Sequence, residues 1–151
     1  MNKKILKYAT IILMIDQVSK GLIGNLMKIG ESRTIIKNVF NIHYINNYGA
    51  AWGILRDNSY LIIIFTIIAF VFIYRYMYTF AKNNRNNLAF GLLTGGIVGN
   101  LLDRVFLGYV RDFFDVYIFG YDFPVFNIAD MAIVCGVVLL IVAILKGEDE
   151  A

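Results

Sequence analysis

Long apolar stretches limit how this chain can fold more than any other feature of its sequence. One of them, residues 131–145, contains no charged or amide side chain. A helix that crosses a bilayer needs about 20 mostly apolar residues, and four stretches suit that role: residues 5–23, 60–80, 88–106 and 123–145. The chain is 59% hydrophobic, whereas soluble domains run nearer half apolar. The sequence therefore predicts a single integral membrane domain, residues 1–151, built as an all-α bundle of four transmembrane helices.

A polar segment, residues 24–59, separates the first two of these stretches. Residues 39–45 alternate in the manner of a half-buried strand. Gly30, Asn46, Asn47 and Gly49 are residues that favour turns. The segment is therefore predicted to form a small antiparallel β-sheet that lies on one face of the membrane. Because of its glycines and its position, it is also a candidate lid.

The orientation of the chain rests on weak signals. With the N-terminus inside, seven Lys and Arg residues near the span ends are cytoplasmic and six are outside. The first helix usually dominates, and the polar residues 83–87 resemble a short cytoplasmic turn, so we expect both termini in the cytoplasm. Asp16 and Lys20 interrupt the first apolar run, which favours a retained helix over a cleaved signal peptide. Pro124 is expected in the first turn of the fourth helix, and the acidic tail, residues 148–150, is expected only to be solvated.

Several classes of function are disfavoured by composition. A single histidine, His43, and a single cysteine, Cys135, do not make a metal site or an internal disulfide. The net charge is only +3, and no basic cluster with interleaved aromatic residues predicts nucleic-acid binding. We therefore expect no metal, no cofactor and no nucleic-acid partner.

An even number of spans brings many polar residues to one face of the membrane. The end of the first helix, the sheet, the end of the third helix and the start of the fourth share this face. The residues expected there at similar depth are Asp16, Lys20, Asn47, Asn100, Asp103, Arg104, Asp112, Asn127 and Asp130. This grouping favours one shared site over unrelated structural roles.

Some of these residues also have simpler explanations. Asp16 and Lys20 are spaced i, i+4 and can form a helix-end ion pair in which Lys20 snorkels to the interface. Asp103 and Arg104 can cap the third helix and meet lipid head groups. Small residues at every fourth position of that helix, namely Gly91, Gly95 and Gly99, are typical of close helix packing in lipid.

Asp112 and Asp130 are the strongest candidates for chemistry. At about 5 Å and an effective dielectric near 20, two carboxylates repel by roughly 3 kcal/mol. Their titrations then separate by about two pH units, so that one acid is protonated and one ionised near neutrality. The ionised group can take a proton from water while the protonated group polarises a carbonyl, as in aspartic proteases.

Other roles for the two acids remain open from the residues alone. Asp112 can be a loop acid paired with Arg111 or Arg104, and Asp130 can cap a helix with Asn127. A small transporter or a proton-coupled channel subunit also uses membrane carboxylates. A structural partner whose acids only fix helix packing is the third alternative.

Four motifs in order resemble those of a known family. Residues 16–20 read Asp-Gln-Val-Ser-Lys, and residues 47–53 read Asn-Tyr-Gly-Ala-Ala-Trp-Gly. Residues 99–104 read Gly-Asn-Leu-Leu-Asp-Arg and are followed by Gly-Tyr-Val-Arg-Asp-Phe at 108–113. Residues 123–130 read Phe-Pro-Val-Phe-Asn-Ile-Ala-Asp. Together they are similar to the motifs of the bacterial lipoprotein signal peptidases, also called signal peptidase II.

The resemblance implies an intramembrane aspartic endopeptidase of the bacterial cell membrane, with four helices, an extracytoplasmic β-cradle and an active site near the extracytoplasmic face. Its substrate would be a diacylglyceryl-modified prolipoprotein, cleaved just before the lipidated cysteine, and membrane lipid would be its other partner. A monomer is expected, because the family gives no reason for an oligomer. The resemblance assigns catalysis to Asp112 and Asp130. It assigns substrate binding or support of the site to Asp16, Lys20, Asn47, Gly49, Asn100, Asp103, Arg104, Phe126, Asn127 and Ala129.

Two positions depart from the family pattern. Arg111 stands where an apolar residue usually precedes the first catalytic aspartate, and a cation there should favour the ionised carboxylate unless it points to solvent. Met131 stands where a small residue is common, and it is expected to narrow or reshape the pocket. Trp52 suits the membrane interface.

Overall fold

A computed structural model describes residues 2–49, 54–56 and 58–149 of the chain. Its elements are four long helices and four strands. In chain order they are α1 (Lys3–Leu26), β1 (Ser32–Ile36), β2 (Phe40–Asn47), α2 (Ser59–Tyr76), α3 (Asn84–Leu107), β3 (Val110–Ile118), β4 (Tyr121–Asp122) and α4 (Ile128–Leu145). The predicted four-helix membrane fold with a small antiparallel sheet is confirmed.

Three of the helical segments are suited by length and composition to cross a membrane: Ser59–Thr79, Asn84–Leu107 and Ile128–Leu145. The first of these joins α2 to the short 3-10 helix Met77–Thr79. Helix α1 has 24 residues, as many as α3, but the charged residues along it lower its mean hydropathy. It packs against α3, which contacts both α1 and α4 and makes the most extensive contacts of the bundle.

Helix α4 begins later than the sequence predicts. The expected start was residue 123, whereas the helix begins at Ile128. The preceding residues are extended, because the Phe126 N–H donates to the Phe114 carbonyl and the Phe114 N–H donates back to Phe126. The prediction that Pro124 lies in the first helical turn is therefore wrong.

The sheet extends beyond the segment in which it was predicted. Its order is β1-β2-β3-β4, and the neighbours are antiparallel. Half of its strands, β3 and β4, come from the chain between α3 and α4. Asn46 and Asn47 belong to β2 rather than to a turn, since they pair with Arg111 and Val110. Asp112 therefore lies on a central strand and not in a loop.

The glycines of α3 allow close packing on both sides, as the sequence predicts. A Cβ on Gly95 would stand 2.7 Å from the Ala9 carbonyl oxygen of α1, and one on Gly96 would stand 2.5 Å from the Ala129 carbonyl oxygen of α4. A Cβ on Gly99 would stand 2.6 Å from Asp16 Oδ2. These small residues therefore bring the polar end of α3 against both neighbouring helices.

Two predictions for the other end of the bundle are wrong. Residues 84–87 belong to α3, whose first turn is capped by the Asn83 side chain, and they do not form a loop. Glu148 is also more than a solvated tail residue. Its Oε2 accepts from Asn83 Nδ2 at 2.7 Å and from Asn86 Nδ2 at 3.0 Å, and it forms an ion pair with Arg85. Glu150 lies outside the described residues.

Candidate active site

A cavity of about 630 Å³ opens where the end of α3, the start of α4 and the adjoining ends of β2 and β3 meet. Both Asp112 and Asp130 line it. Its other polar lining residues include Asn47, Asn100 and Arg104, whereas an apolar wall comes from Phe123, Pro124, Val125, Phe126 and Val134. The structure thus brings both predicted acids to one cavity that also has an apolar side.

Asp112 projects into this cavity from β3 and is only 2% exposed. Its Oδ1 accepts from Asn127 Nδ2 at 2.6 Å, and its Oδ2 accepts from Asn47 Nδ2 at 2.9 Å. Burial raises the pKa of Asp112 from 3.8 to about 7, and repulsion from Asp130 adds to the rise while the two amide donors oppose it. This carboxyl group can therefore exchange a proton near neutral pH.

Asp130 occupies the first turn of α4, where it forms a capping box with Asn127. Its Oδ2 accepts from the Asn127 backbone N–H at 3.1 Å. Its Oδ1 accepts from Asn100 Nδ2 at 2.7 Å. The capping role considered from the sequence is real, yet the same carboxylate also lines the cavity. One group can serve both purposes because its two oxygens have different partners.

Each of the three asparagines that hold the acids is oriented by a partner of fixed polarity. The Asn127 Oδ1 accepts from the Asp130 N–H, and the Asn47 Oδ1 accepts from the Gly49 N–H. The Asn100 Oδ1 accepts from Lys20 Nζ at 2.9 Å, and an ammonium group has no acceptor to offer. Each amide must therefore turn its Nδ2 toward a carboxylate. The site is a set of donors aimed at two acids.

Behind the cavity lies a buried ionic cluster formed by Asp16, Lys20, Asp103 and Arg111. Lys20 Nζ stands 2.9 Å from Asp16 Oδ2 and 3.5 Å from Asp103 Oδ2, and its side chain is fully buried. The prediction that Lys20 snorkels to the interface is therefore wrong. Two cations face two carboxylates, and this balance makes it tolerable to bury Asp16, Lys20 and Asp103, whereas Arg111 is 18% exposed.

Arg111 faces this cluster and turns away from Asp112. Its Nη2 donates to Asp103 Oδ1 at 2.7 Å and to Gln17 Oε1 at 2.9 Å. Adjacent residues of a strand point to opposite faces, so the guanidinium does not pair with Asp112. The Arg111 side chain is only 18% exposed and bonds within the cluster, so it does not point to solvent either. The bond to Asp103 raises the pKa of Arg111. Among the described residues, Asp112 forms no ion pair with Arg111 or Arg104.

The remaining predicted site residues are close to the cavity or its support. Arg104 Nη2 donates to the Gly49 carbonyl oxygen at 3.2 Å, and Phe126 lines the cavity. The Ala129 N–H donates to Asp16 Oδ1 at 3.0 Å, which ties α4 to α1. Met131 is 46% exposed and is not one of the described residues that line the cavity, so the expectation that it narrows the pocket is wrong. Trp52, Ala50 and Ala51 lie outside the described residues.

Sequence reasoning missed several polar residues near the site, including Gln17 and Arg56. Gln17 donates to the Gly99 carbonyl oxygen at 3.1 Å and to Asp103 Oδ1 at 3.2 Å. The only signal for Gln17 was its position next to Asp16, and adjacent residues of a helix do not face each other. Arg56 lines the cavity, but nothing in its local sequence indicated this. No group of three or more His, Cys, Asp or Glu side chains in the described ranges is arranged to hold a metal.

Comparisons with known proteins agree with this architecture. The family described as signal peptidase (SPase) II matches residues 8–146. A lipoprotein signal peptidase of Staphylococcus aureus (strain MRSA252) is 45% identical over 146 residues, which cover 94% of this chain and 88% of that protein.

Two solved structures of a bacterial membrane enzyme, obtained by the in meso method, have the same fold. The structure at 2.3 Å resolution has a TM-score of 0.83 and 43% identity, covering 94% of this chain and 87% of the other. The structure at 1.9 Å resolution has a TM-score of 0.81 and 43% identity, covering 94% and 92%. With the family match spanning nearly all of the sequence, this chain belongs to the signal peptidase II family.

Proposed function

We propose that this protein is an intramembrane aspartic endopeptidase that removes the signal peptide from diacylglyceryl-modified prolipoproteins. It cleaves the bond just before the lipidated cysteine, and Asp112 and Asp130 together activate the attacking water. The observation that carries this proposal is the pair of carboxylates on one cavity, bridged by Asn127. The name of the Staphylococcus aureus relative supports the substrate class.

Hydrolysis requires that the two acids hold one proton between them. The ionised carboxylate takes a proton from water as the water oxygen bonds to the scissile carbonyl carbon. The protonated partner transfers its proton to the carbonyl oxygen, so the tetrahedral intermediate carries two hydroxyl groups. When the C–N bond breaks, the acid that took the proton from water gives it to the leaving nitrogen. One hydroxyl returns its proton to the other carboxylate as the carbonyl re-forms, and the dyad again holds one proton. A pKa of about 7 at Asp112 suits this exchange.

The surrounding amides have a positioning role in this mechanism. Asn127 contacts both acids, Asp112 through its side-chain Nδ2 and Asp130 through its backbone N–H, so the same residue resists displacement of either carboxylate. Asn47 and the backbone near Gly49 lie at the cavity wall, where they can bind the substrate backbone. The ionic cluster of Asp16, Lys20 and Asp103 acts one step further away, because Lys20 orients Asn100 and Asn100 donates to Asp130.

The apolar wall of the cavity suits a lipid-modified substrate. Phe123, Val125 and Val134 face the same space as the acids, so acyl chains and the apolar part of a signal peptide can lie beside the reacting bond. We place both termini in the cytoplasm and the cavity near the extracytoplasmic face. The protein acts as a monomer within membrane lipid and uses neither a cofactor nor nucleic acid.

The proposal is tested by incubating purified protein in nonionic detergent with a diacylglyceryl-modified precursor and with its unlipidated twin. We expect mass spectrometry to show release of the signal peptide from the modified precursor and little or none from the twin. Proton flux in proteoliposomes is measured in parallel. Flux without any peptide product would contradict the proposal and favour the transporter alternative.

A further inference from the structure

Arg56 is a cation at the wall of the cavity that the proposed dyad does not use. It lies in the described stretch 54–56, just before α2 begins at Ser59, and its side chain is exposed. It lines the same cavity as Asp112 and Asp130. Within the part of the chain that the structure describes, its guanidinium has neither a hydrogen-bond partner nor an ion-pair partner. Such a cation at a binding cavity is available to a ligand.

The charges around the cavity leave an excess at Arg56. Among its described lining residues, those that carry a full charge when ionised are Arg56, Arg104, Asp112 and Asp130. Arg104 is close enough to both carboxylates to interact with them electrostatically, and it also donates to the Gly49 carbonyl. When the two acids share one proton, two positive charges face one negative charge. Among the described residues that line the cavity, the positive charge left without a counterpart is that of Arg56.

We propose that Arg56 is a specificity-determining residue, which favours precursors that carry an acidic side chain in the first residues after the lipidated cysteine. This inference rests on the proposed function. A signal peptide has an apolar central region, so that region has no carboxylate to offer. The mature part of the precursor leaves the membrane on the side of the cavity. Arg56 precedes the membrane-spanning segment that starts at Ser59 and lines the cavity, so a mature part that leaves through the cavity passes on its side of the membrane.

The expected preference is modest, because Arg56 is exposed. Exposed ion pairs contribute little, and the corresponding change in kcat/KM is about two- to five-fold. Salt must weaken it, since the Debye length falls from about 10 Å at 0.1 M to about 3 Å at 1 M. A steric preference would not respond to salt in this way.

The test uses three diacylglyceryl-modified precursors that differ only in the residue after the lipidated cysteine, which is Asp, Asn or Lys. For each enzyme the kcat/KM ratios of Asp to Asn and of Lys to Asn are measured in nonionic detergent at low salt. We expect the wild type to prefer Asp, Arg56→Gln to lose the preference, and Arg56→Glu to prefer Lys. The control is Lys37→Gln, which removes a positive charge in the turn between β1 and β2, away from the cavity. It should keep the wild-type ratios.

The inference would be overturned if the wild type cleaved the Asp, Asn and Lys precursors with equal kcat/KM, or if Arg56→Glu did not prefer the Lys precursor. In either case, cleavage of the Asn precursor would still support the proposed function. A preference that depends on Arg56 only in vesicles containing anionic lipid would also overturn the inference, because Arg56 would then bind head-group phosphates. If the wild type cleaves none of the three precursors, the proposed function itself fails and the inference falls with it.

Discussion

Replacing Asp112 with Asn should stabilise the protein at alkaline pH while it abolishes activity. In the folded state burial raises the pKa of Asp112 from 3.8 to about 7. The folded protein therefore binds the proton more tightly than the unfolded chain does. For an acid whose pKa is raised by folding, stability falls as pH rises from about 4 to about 7, and it is level above that range.

The size of the effect follows from the same pKa. When the pKa values of the folded and unfolded states differ by one, the free energy of unfolding changes by about 1.4 kcal/mol. Between pH 5 and pH 8.5 the titration of Asp112 should cost the wild type up to about 3 kcal/mol of unfolding free energy. The variant also loses an acceptor, because Asn47 and Asn127 bond different oxygens of Asp112 and an amide NH2 would replace one of them. That loss of about 1 kcal/mol is nearly the same at both pH values, so it cancels in the difference between them.

The assay is unfolding of both proteins in the same detergent at pH 5 and at pH 8.5. The stability of Asp112→Asn relative to the wild type should rise by about 1–3 kcal/mol between the two conditions. If the stability of Asp112→Asn relative to the wild type were the same at the two pH values, the argument would be refuted. That result would mean that folding does not raise the pKa of Asp112.

Three further predictions follow from the packing and the ionic contacts. Gly99→Ala should lower both thermal stability and precursor cleavage, because the new Cβ would stand 2.6 Å from Asp16 Oδ2. Gly21→Ala is its control and should be neutral or slightly stabilising, because a Cβ there would meet no atom within 4 Å. Equal behaviour of the two variants would contradict the close approach of α3 and α1. Lys20→Met should reduce the unfolding free energy by about 3–5 kcal/mol, because it leaves the buried Asp16 without a cation while Asp103 keeps Arg111. The exposed Lys7→Met is its control, and similar losses from both would be inconsistent with a buried cluster. Glu148 has a lowered pKa because it accepts hydrogen bonds from Arg85, Asn83 and Asn86, so its contribution to stability is present above its ordinary pKa and is lost as pH falls. Glu148→Gln should therefore increase proteolysis of the C-terminal residues at pH 7 but not at pH 3. Equal cleavage rates of the variant and the wild type at pH 7 would refute the contact.

The membrane helices could be predicted from the sequence because lipid imposes a simple length requirement. Helix α3 matched within a few residues, and the parity of the spans correctly brought Asp112 and Asp130 to one cavity. The start of α4 was missed, because residues 123–126 are apolar enough for a helix but bond to β3 instead. Hydropathy alone does not distinguish these two structures.

Strand β3 was not predicted, because charged residues on it hide the alternation of apolar and polar side chains. Arg111, Asp112 and Asp115 interrupt the alternation that a half-buried strand usually shows, and all three find polar partners in the fold. The burial of Lys20 was also beyond the sequence, since an i, i+4 ion pair looks the same at a helix surface and in a core. Its environment is decided by Asn100 and Asp103, which come from a distant part of the chain.

Cleavage of a diacylglyceryl-modified precursor by matched Asp→Asn variants tests the central claim most directly. Asp112→Asn and Asp130→Asn should each remain folded and release no signal peptide. Asp115→Asn, a buried acid on the same strand that bonds to Asn41 and is not among the described residues lining the cavity, should still cleave. Cleavage at the wild-type rate by either of the first two variants would contradict the claim that both carboxylates share in activating water.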